Sequence, residues 1–254
     1  MDLFALHGRV AVVTGGNGGI GLGMAKGLAR AGASIVVAAR DPKKNKAAVR
    51  ELEALSAKVL AVETDVRQTE SCQTLFRKAA QAFGTVDILI NNAGMNVRLQ
   101  PEEYDIDSWN TVLETNLTSA MLCSKYAHQV MVRQGAGKII NIGSMMSIFG
   151  APFASAYAAS KGGIVQFTKA CASAWAKDNI QVNAVLPGWI DTDLTRRGRK
   201  EVSGLHERVL ARTPAGRWGD PDDHAGVAIF LSGKGSDFIT GAAITVDGGF
   251  SIQA

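Results

Sequence analysis

Cysteine is scarce in this chain of 254 residues, and the three present, Cys72, Cys123 and Cys171, lie far apart. An odd, scattered set argues against a disulfide framework and a zinc cluster, and it fits a reducing cytoplasmic compartment. The four histidines are scattered as well, so no metal site is assigned and a zinc-dependent alcohol dehydrogenase is not expected. No apolar run reaches the roughly 20 residues that a membrane helix needs. The opening MDLFALHGRV is too short and too mixed for a secretory segment, so no membrane partner is expected. A Pro/Gly/Ser-rich linker, a low-complexity tract and a repeat are all missing, which favours a single domain over residues 1–254. The net charge is +4, but the only dense basic run is Arg196-Arg197-Gly198-Arg199-Lys200. Without interleaved aromatic side chains it reads as a solvated or anion-facing loop, and no nucleic-acid partner is expected.

What the sequence does contain is a regular alternation. Short β-branched runs at Arg9–Thr14, Ser34–Ala39, Lys58–Glu63, Val86–Asn91, Lys138–Ile142, Gln181–Val185 and Ala243–Val246 read as strands. Amphipathic stretches at Ile20–Ala31, Lys43–Leu55, Ser71–Phe83, Ser108–Arg133, Ala154–Lys177 and Asp222–Leu231 read as helices between them. Strands apolar on both faces, such as Val10-Ala11-Val12-Val13, belong in a parallel sheet covered on both sides. The expected fold is therefore α/β, a doubly wound Rossmann-type parallel sheet of about seven strands with helices on both faces. Ligands of such sheets bind beyond the carboxyl ends of the strands.

The first strand runs into Thr14-Gly15-Gly16-Asn17-Gly18-Gly19-Ile20-Gly21 and then a helix. Glycines there let backbone amides approach a pyrophosphate at the positive end of the helix, which places Gly15, Asn17, Gly19, Ile20 and Gly21 on a dinucleotide. The spacing is TGxxxGxG and not GxGxxG. Together with Asn91-Asn92-Ala93-Gly94, Tyr157-Ala158-Ala159-Ser160-Lys161, Pro187-Gly188 and Asp247-Gly248-Gly249, it resembles the short-chain dehydrogenase/reductase superfamily over essentially the whole chain.

That resemblance implies a hydride exchange between a nicotinamide cofactor and an alcohol/ketone pair. It implies that Asp65 and Val66 contact the adenine, that Asn92, Ala93 and Gly94 line the cofactor cleft, and that Pro187, Gly188, Ile190 and Thr192 hold the nicotinamide carboxamide. It also implies a homotetramer built through the Ser108–Arg133 and Ala154–Lys177 helices. After the second strand, Ala39 stands where NAD-preferring relatives usually carry Asp, and Arg40 follows. An arginine there accommodates a 2′-phosphate, so NADP is expected, with NAD left open by Asp41.

A ketone that receives a hydride needs a proton, and Tyr157 is the candidate donor. Its ordinary pKa of about 10 must fall by roughly 3 units to work near neutrality. Lys161, one helical turn later, supplies roughly 4 kcal/mol if its ammonium sits about 4 Å from the phenolate at an effective dielectric of about 20. Both residues also belong to the cofactor site. Ser144, at the end of the fifth strand, can polarise the substrate oxygen. Asn116 matches the family residue that fixes a water in the proton relay to Lys161.

The substrate is the least legible part. Residues 189–212 are expected to form a mobile lid carrying Arg196, Arg197, Arg199 and Lys200. Arg98, just beyond Asn91-Asn92-Ala93-Gly94, resembles the arginine of gluconate 5-dehydrogenase and 2-deoxygluconate 3-dehydrogenase sequences. A small sugar acid or polyol bound at Ser144, Tyr157 and Arg98 is the leading expectation. The same scaffold also serves 3-oxoacyl-carrier-protein reductases, and a non-catalytic NADP-binding regulator would be a different class of protein.

Overall fold

The computed structural model describes residues 3–253. Seven strands, β1 (Val10–Thr14), β2 (Ser34–Ala39), β3 (Val59–Glu63), β4 (Ile88–Asn91), β5 (Gly137–Ile142), β6 (Ile180–Pro187) and β7 (Ala243–Val246), form one parallel sheet in the order 3-2-1-4-5-6-7. The expected doubly wound architecture is present, and each expected strand end lies within two residues of the observed one.

Period-two alternation with apolar residues on both faces divides the core into two layers. Val10, Val12, Val36, Leu89 and Ile139 face α3 (Thr69–Phe83), α5 (Ser119–Gln134) and α6 (Ser155–Trp175), through Leu75, Phe76, Ala127, Met131 and Cys171. Ala11, Val13, Ile35, Ile88 and Ile140 face α1 (Gly19–Arg30), α2 (Pro42–Glu53) and α9 (Ala225–Ser232), through Met24, Leu28, Leu52, Ala228 and Leu231. Helix α2 starts where it does because the Asp41 carboxylate accepts hydrogen bonds from the Lys43 and Lys44 amides and Pro42 follows the cap.

Three regions differ from the sequence reading, the smallest being Asp222–Leu231, which opens with a 3-10 turn at Pro221–His224 before α9. The stretch expected as one helix, Ser108–Arg133, comprises α4 (Ile106–Leu113) and α5 joined by a π-helical turn at Glu114–Thr118. Periodicity does not register one wide turn, and such turns gather at functional sites. Residues 189–212, read as a lid without elements, hold α7 (Asp193–Glu201) and α8 (Leu205–Arg212). Helix α7 is almost wholly polar, with only Gly198 buried, so it shows no apolar stripe to read.

The strand order reverses between β1 and β4. From there the chain leaves the sheet in opposite directions, and the carboxyl ends of the strands open into a cleft of about 540 Å³.

Candidate active site

The cleft begins at the glycine loop, which is strapped to the end of β4. Thr14 Oγ1 accepts from the Asn92 and Ala93 amides at 2.9 and 3.1 Å and donates to the Ile90 carbonyl. Asn92 Nδ2 donates to the carbonyls of Thr14 and Gly15 at 3.0 and 3.2 Å. Gly15 has φ of +63°, and a Cβ there would lie 2.8 Å from Asn92 Nδ2, so both conformation and space demand glycine. Thr14 and the supporting Asn45, which accepts from Asn17 Nδ2 and donates to the Ala39 carbonyl, were not singled out from sequence. A threonine and an asparagine beside glycine-rich or strand-end segments carry no periodic signal.

Helix α1 starts at Gly19 with no side chain on its first-turn amides and no acid in that turn. Those amides and the positive end of the helix dipole lie beside a cleft that Gly15, Asn17, Gly19 and Ile20 line, which fits a pyrophosphate. Gly21, one turn in, packs its backbone against Asn92. The residues present therefore fit a dinucleotide.

At the far end of this half, Arg40 is exposed on the cleft wall and Asp41 is occupied as the α2 cap. Lys44 lines the wall beside them, a second cation that the sequence reading missed because α2 had not been folded back over the loop. Asp65 and Val66 line the cleft as expected. The Asp65 carboxylate is held by Arg67, at 2.8 and 3.2 Å, which pulls its pKa below the ordinary value. Its side chain is thus committed before any adenine arrives. Asn92, Ala93, Gly94, Pro187, Gly188, Ile190 and Thr192 complete this half, with the Gly188 amide bonded to the Val246 carbonyl at 3.0 Å and Thr192 capping α7.

Deeper in, α6 carries Tyr157 and Lys161 one turn apart, and Ser144 follows β5. The three line one stretch of the cleft. Lys161 Nζ lies 5.6 Å from the centre of the Tyr157 ring and donates to the Ile142 carbonyl at 2.7 Å. Burial lowers the Lys161 pKa from 10.5 to about 8. Burial also raises the Tyr157 pKa, opposed by a hydrogen bond from Ser144 and by the charge of Arg98. The sequence-based reckoning counted the attraction between ammonium and phenolate but not the cost of taking either from water, and the structure shows that this cost is the leading influence on both groups.

Asn116 sits in the π turn between α4 and α5. Its Oδ1 accepts from the Met95 amide at 2.8 Å, and its Nδ2 donates to the Met95 carbonyl and to Ser160 Oγ at 2.9 and 3.0 Å. Both amide hydrogens are spent on fixing the segment after β4 to α6, beside Lys161. The side chain is thus seen as a positioning group between those two elements.

Arg98 also lines the cleft. Its Nη1 donates to Glu201 of α7 at 2.6 Å and its Nη2 to the Leu194 carbonyl at 3.2 Å. The lid arginines do not join it. Arg196 and Arg199 bind Asp191, Arg197 pairs with Glu201 at 3.5 Å, and none of these three arginines lines the cleft. Apolar side chains of Met95, Met145, Phe153, Trp189, Leu194 and Leu205 also line the cleft.

With a glycine loop at the switch point and a Tyr–Lys–Ser group lining the same cleft, the fold and site define a nucleotide-dependent oxidoreductase. The chain matches, over residues 15–251, the family model described as enoyl-(acyl carrier protein) reductase. It is 42% identical over 98% of its length to the 2-dehydro-3-deoxy-D-gluconate 5-dehydrogenase of Formosa agariphila, 95% of which is covered. Among solved structures, it superposes with a TM-score of 0.94 at 35% identity on the Burkholderia cenocepacia gluconate 5-dehydrogenase in complex with NADP and tartrate, covering 100% of this chain and 99% of that one. It superposes equally, at 0.94 and 32% identity with 98% of each chain covered, on a short-chain type dehydrogenase/reductase from Mycobacterium marinum. The chain belongs to the short-chain dehydrogenase/reductase family, whose members are NAD(P)-dependent oxidoreductases acting on CH–OH groups.

Proposed function

We propose that this protein interconverts a secondary alcohol and a ketone on a sugar acid, with NADP(H) as the cofactor. The observation that carries the substrate assignment is Arg98, a cation in the cleft wall whose charge reaches the Tyr157 phenol. A planar guanidinium takes a carboxylate through two parallel hydrogen bonds and so fixes both position and orientation. The relatives named for gluconate and deoxygluconate derivatives support the same reading.

The nicotinamide cofactor supplies or accepts the hydride. Tyr157 donates its phenolic proton to the oxygen that becomes a hydroxyl, or takes that proton when the alcohol is oxidised. Ser144 holds the same oxygen by a hydrogen bond. Lys161 favours the phenolate by its charge, and Asn116 keeps α6 registered against the segment after β4. Arg40, with Lys44 beside it, would meet the 2′-phosphate, and Asp41 Oδ1 caps α2 through the Lys43 and Lys44 amides. Asp65 and Val66 would hold the adenine, and Pro187, Gly188, Ile190 and Thr192 the carboxamide.

The whole chain acts as one catalytic domain with residues 189–212 as its lid. The exposed Met121 and Val132 of α5 support a homotetramer assembled through the α4–α5 and α6 faces. Three buried free thiols support a cytoplasmic setting. Among the described residues no helix is long and apolar enough to cross a membrane. The basic run of α7 faces its own acids, which supports a small-molecule role without nucleic acid.

The deciding experiment compares gluconate with D-glucitol, the same six-carbon chain without the carboxylate, using each cofactor. Gluconate with NADP is expected to show kcat/KM at least about tenfold above glucitol. Equal rates would remove the sugar-acid reading. Faster turnover of an acetoacetyl thioester would replace it with acyl-carrier reduction.

A further inference from the structure

We propose that Glu201 is a built-in stand-in for the substrate carboxylate, holding α7 against Arg98 until an anionic substrate displaces it. This rests on the reading of Arg98 as the carboxylate site.

Among the lid's ion pairs, this one has the most buried cation. Arg98 Nη1 donates to Glu201 at 2.6 Å, and only 13% of the arginine side chain is exposed, against 41% for the glutamate. One partner is therefore a fixed feature of the cleft wall, and the other reaches in from solvent. The guanidinium also holds the Leu194 carbonyl at 3.2 Å, at the start of the same helix. Gly198 brings the middle of α7 so close that a Cβ there would lie 2.7 Å from Arg98 Nη2. Arg98 thus touches α7 at three places one turn apart, and Glu201 supplies the only charge among them.

A carboxylate arriving from the cleft offers Arg98 the same group that Glu201 offers from the lid. Both cannot be paired with one guanidinium edge. The displaced Glu201 is not left alone, because Arg197, four residues earlier on α7, already lies 3.5 Å from its other oxygen. The exchange therefore conserves the number of ion pairs. It loosens the lid at Arg98 when the substrate carries the correct charge, and leaves it latched when the substrate is neutral.

The test uses the NADP-loaded enzyme and the variant Glu201→Gln, which keeps shape and removes the competing charge. Tartrate serves as a non-reacting dicarboxylate probe, and gluconate and D-glucitol as substrates. An ion pair with one exposed partner contributes roughly 0.2–1 kcal/mol, so its removal is expected to tighten tartrate inhibition by up to about fivefold. The ratio of kcat/KM for gluconate to that for glucitol is expected to rise by a similar factor. The same substitution in an Arg98→Met background is expected to leave tartrate inhibition unmoved. Unchanged or weaker tartrate inhibition in Glu201→Gln overturns the proposal, as does an equal effect on gluconate and glucitol, which marks Glu201 as a packing residue of the lid. If Arg98→Met alone leaves tartrate inhibition and the gluconate-to-glucitol ratio unchanged, the carboxylate site itself is wrong, a failure distinct from that of the latch.

Discussion

At the scale of single residues, the proposed chemistry depends on Tyr157 and Lys161, whose pKa values burial moves in opposite directions. Tyr157 is pushed up by burial and therefore carries its proton at neutrality, so its release to the substrate oxygen depends on the opposing Ser144 hydrogen bond and nearby positive charge. Replacing it with Phe keeps the ring and deletes the proton, so turnover is expected to fall by at least about a hundredfold while cofactor binding survives. Residual turnover near wild type would remove Tyr157 from the chemistry. Lys161, lowered to about 8, is charged at neutrality and loses that charge in mildly alkaline solution. The kcat/KM for ketone reduction should therefore fall above about pH 8. Lys161→Arg, which stays charged, should move that limb upward whatever its absolute rate. The sign for stability is the reverse. Between about pH 8 and 10.5 the unfolded chain binds more protons at this position than the folded one, so the Lys161 contribution to stability rises with pH across that window. Lys161→Met should flatten that rise in a pH series of denaturant unfolding. Arg40 is legible from sequence and exposed in the structure. Its loss in Arg40→Ala should weaken NADP by about 10- to 150-fold and leave NAD nearly unchanged, the range of one charge-assisted hydrogen bond. Equal weakening of both cofactors in titration would assign Arg40 to structure instead.

At the scale of elements, helix α2 does more than cover the sheet. Its first turn brings Lys44 to the cleft next to Arg40, and Lys44 pairs with Asp193 of α7 at 3.2 Å. Lys44→Ala should therefore weaken NADP more than NAD, by less than Arg40→Ala, because the lysine is exposed and already shared. Fluorescence titration of the two variants side by side measures the order, and a larger effect at Lys44 would reverse the assignment of the main phosphate contact. The same element shows why sequence motifs stop short. Asp41 reads from sequence as a carboxylate open to the ribose, whereas the fold also makes its Oδ1 the cap of the helix that it begins. Helix α7 shows the converse, since its basic run reads as anion-seeking, whereas three of its arginines are drawn onto Asp191 and Glu201 within and beside the lid.

At the scale of the whole molecule, the cleft draws on the ends of six of the seven strands, so a bound dinucleotide ties both halves of the sheet together. A ligand that binds only the folded chain at about 100 times its dissociation constant stabilises it by about 2.7 kcal/mol. For a chain of this size that corresponds to a rise in Tm of roughly 5–10 °C. NADP is expected to produce this shift at concentrations where NAD gives less, and Arg40→Ala should abolish the difference. An equal shift by both cofactors in a thermal melt would place the discrimination elsewhere.

The sequence by itself determined the sheet, the order of its elements, the glycine loop and the Tyr157–Lys161 pair. Each of these is local, being a period of two or 3.6, a turn that only glycine fits, or a spacing of one helical turn. The family resemblance added Asn116, Ser144 and the residues after β6. Tertiary structure decided which charges are free to act. That Asp65 is held by Arg67 two residues on, that Lys44 reaches the cleft and that Asn116 spends its amide on Met95 and Ser160 are all matters of contact. So is the pairing of Arg98 with Glu201, 103 positions later in the chain. A charge in a sequence has a sign but no partner. The folded chain alone brings distant residues within hydrogen-bonding distance, where desolvation and competition settle what each group can still do.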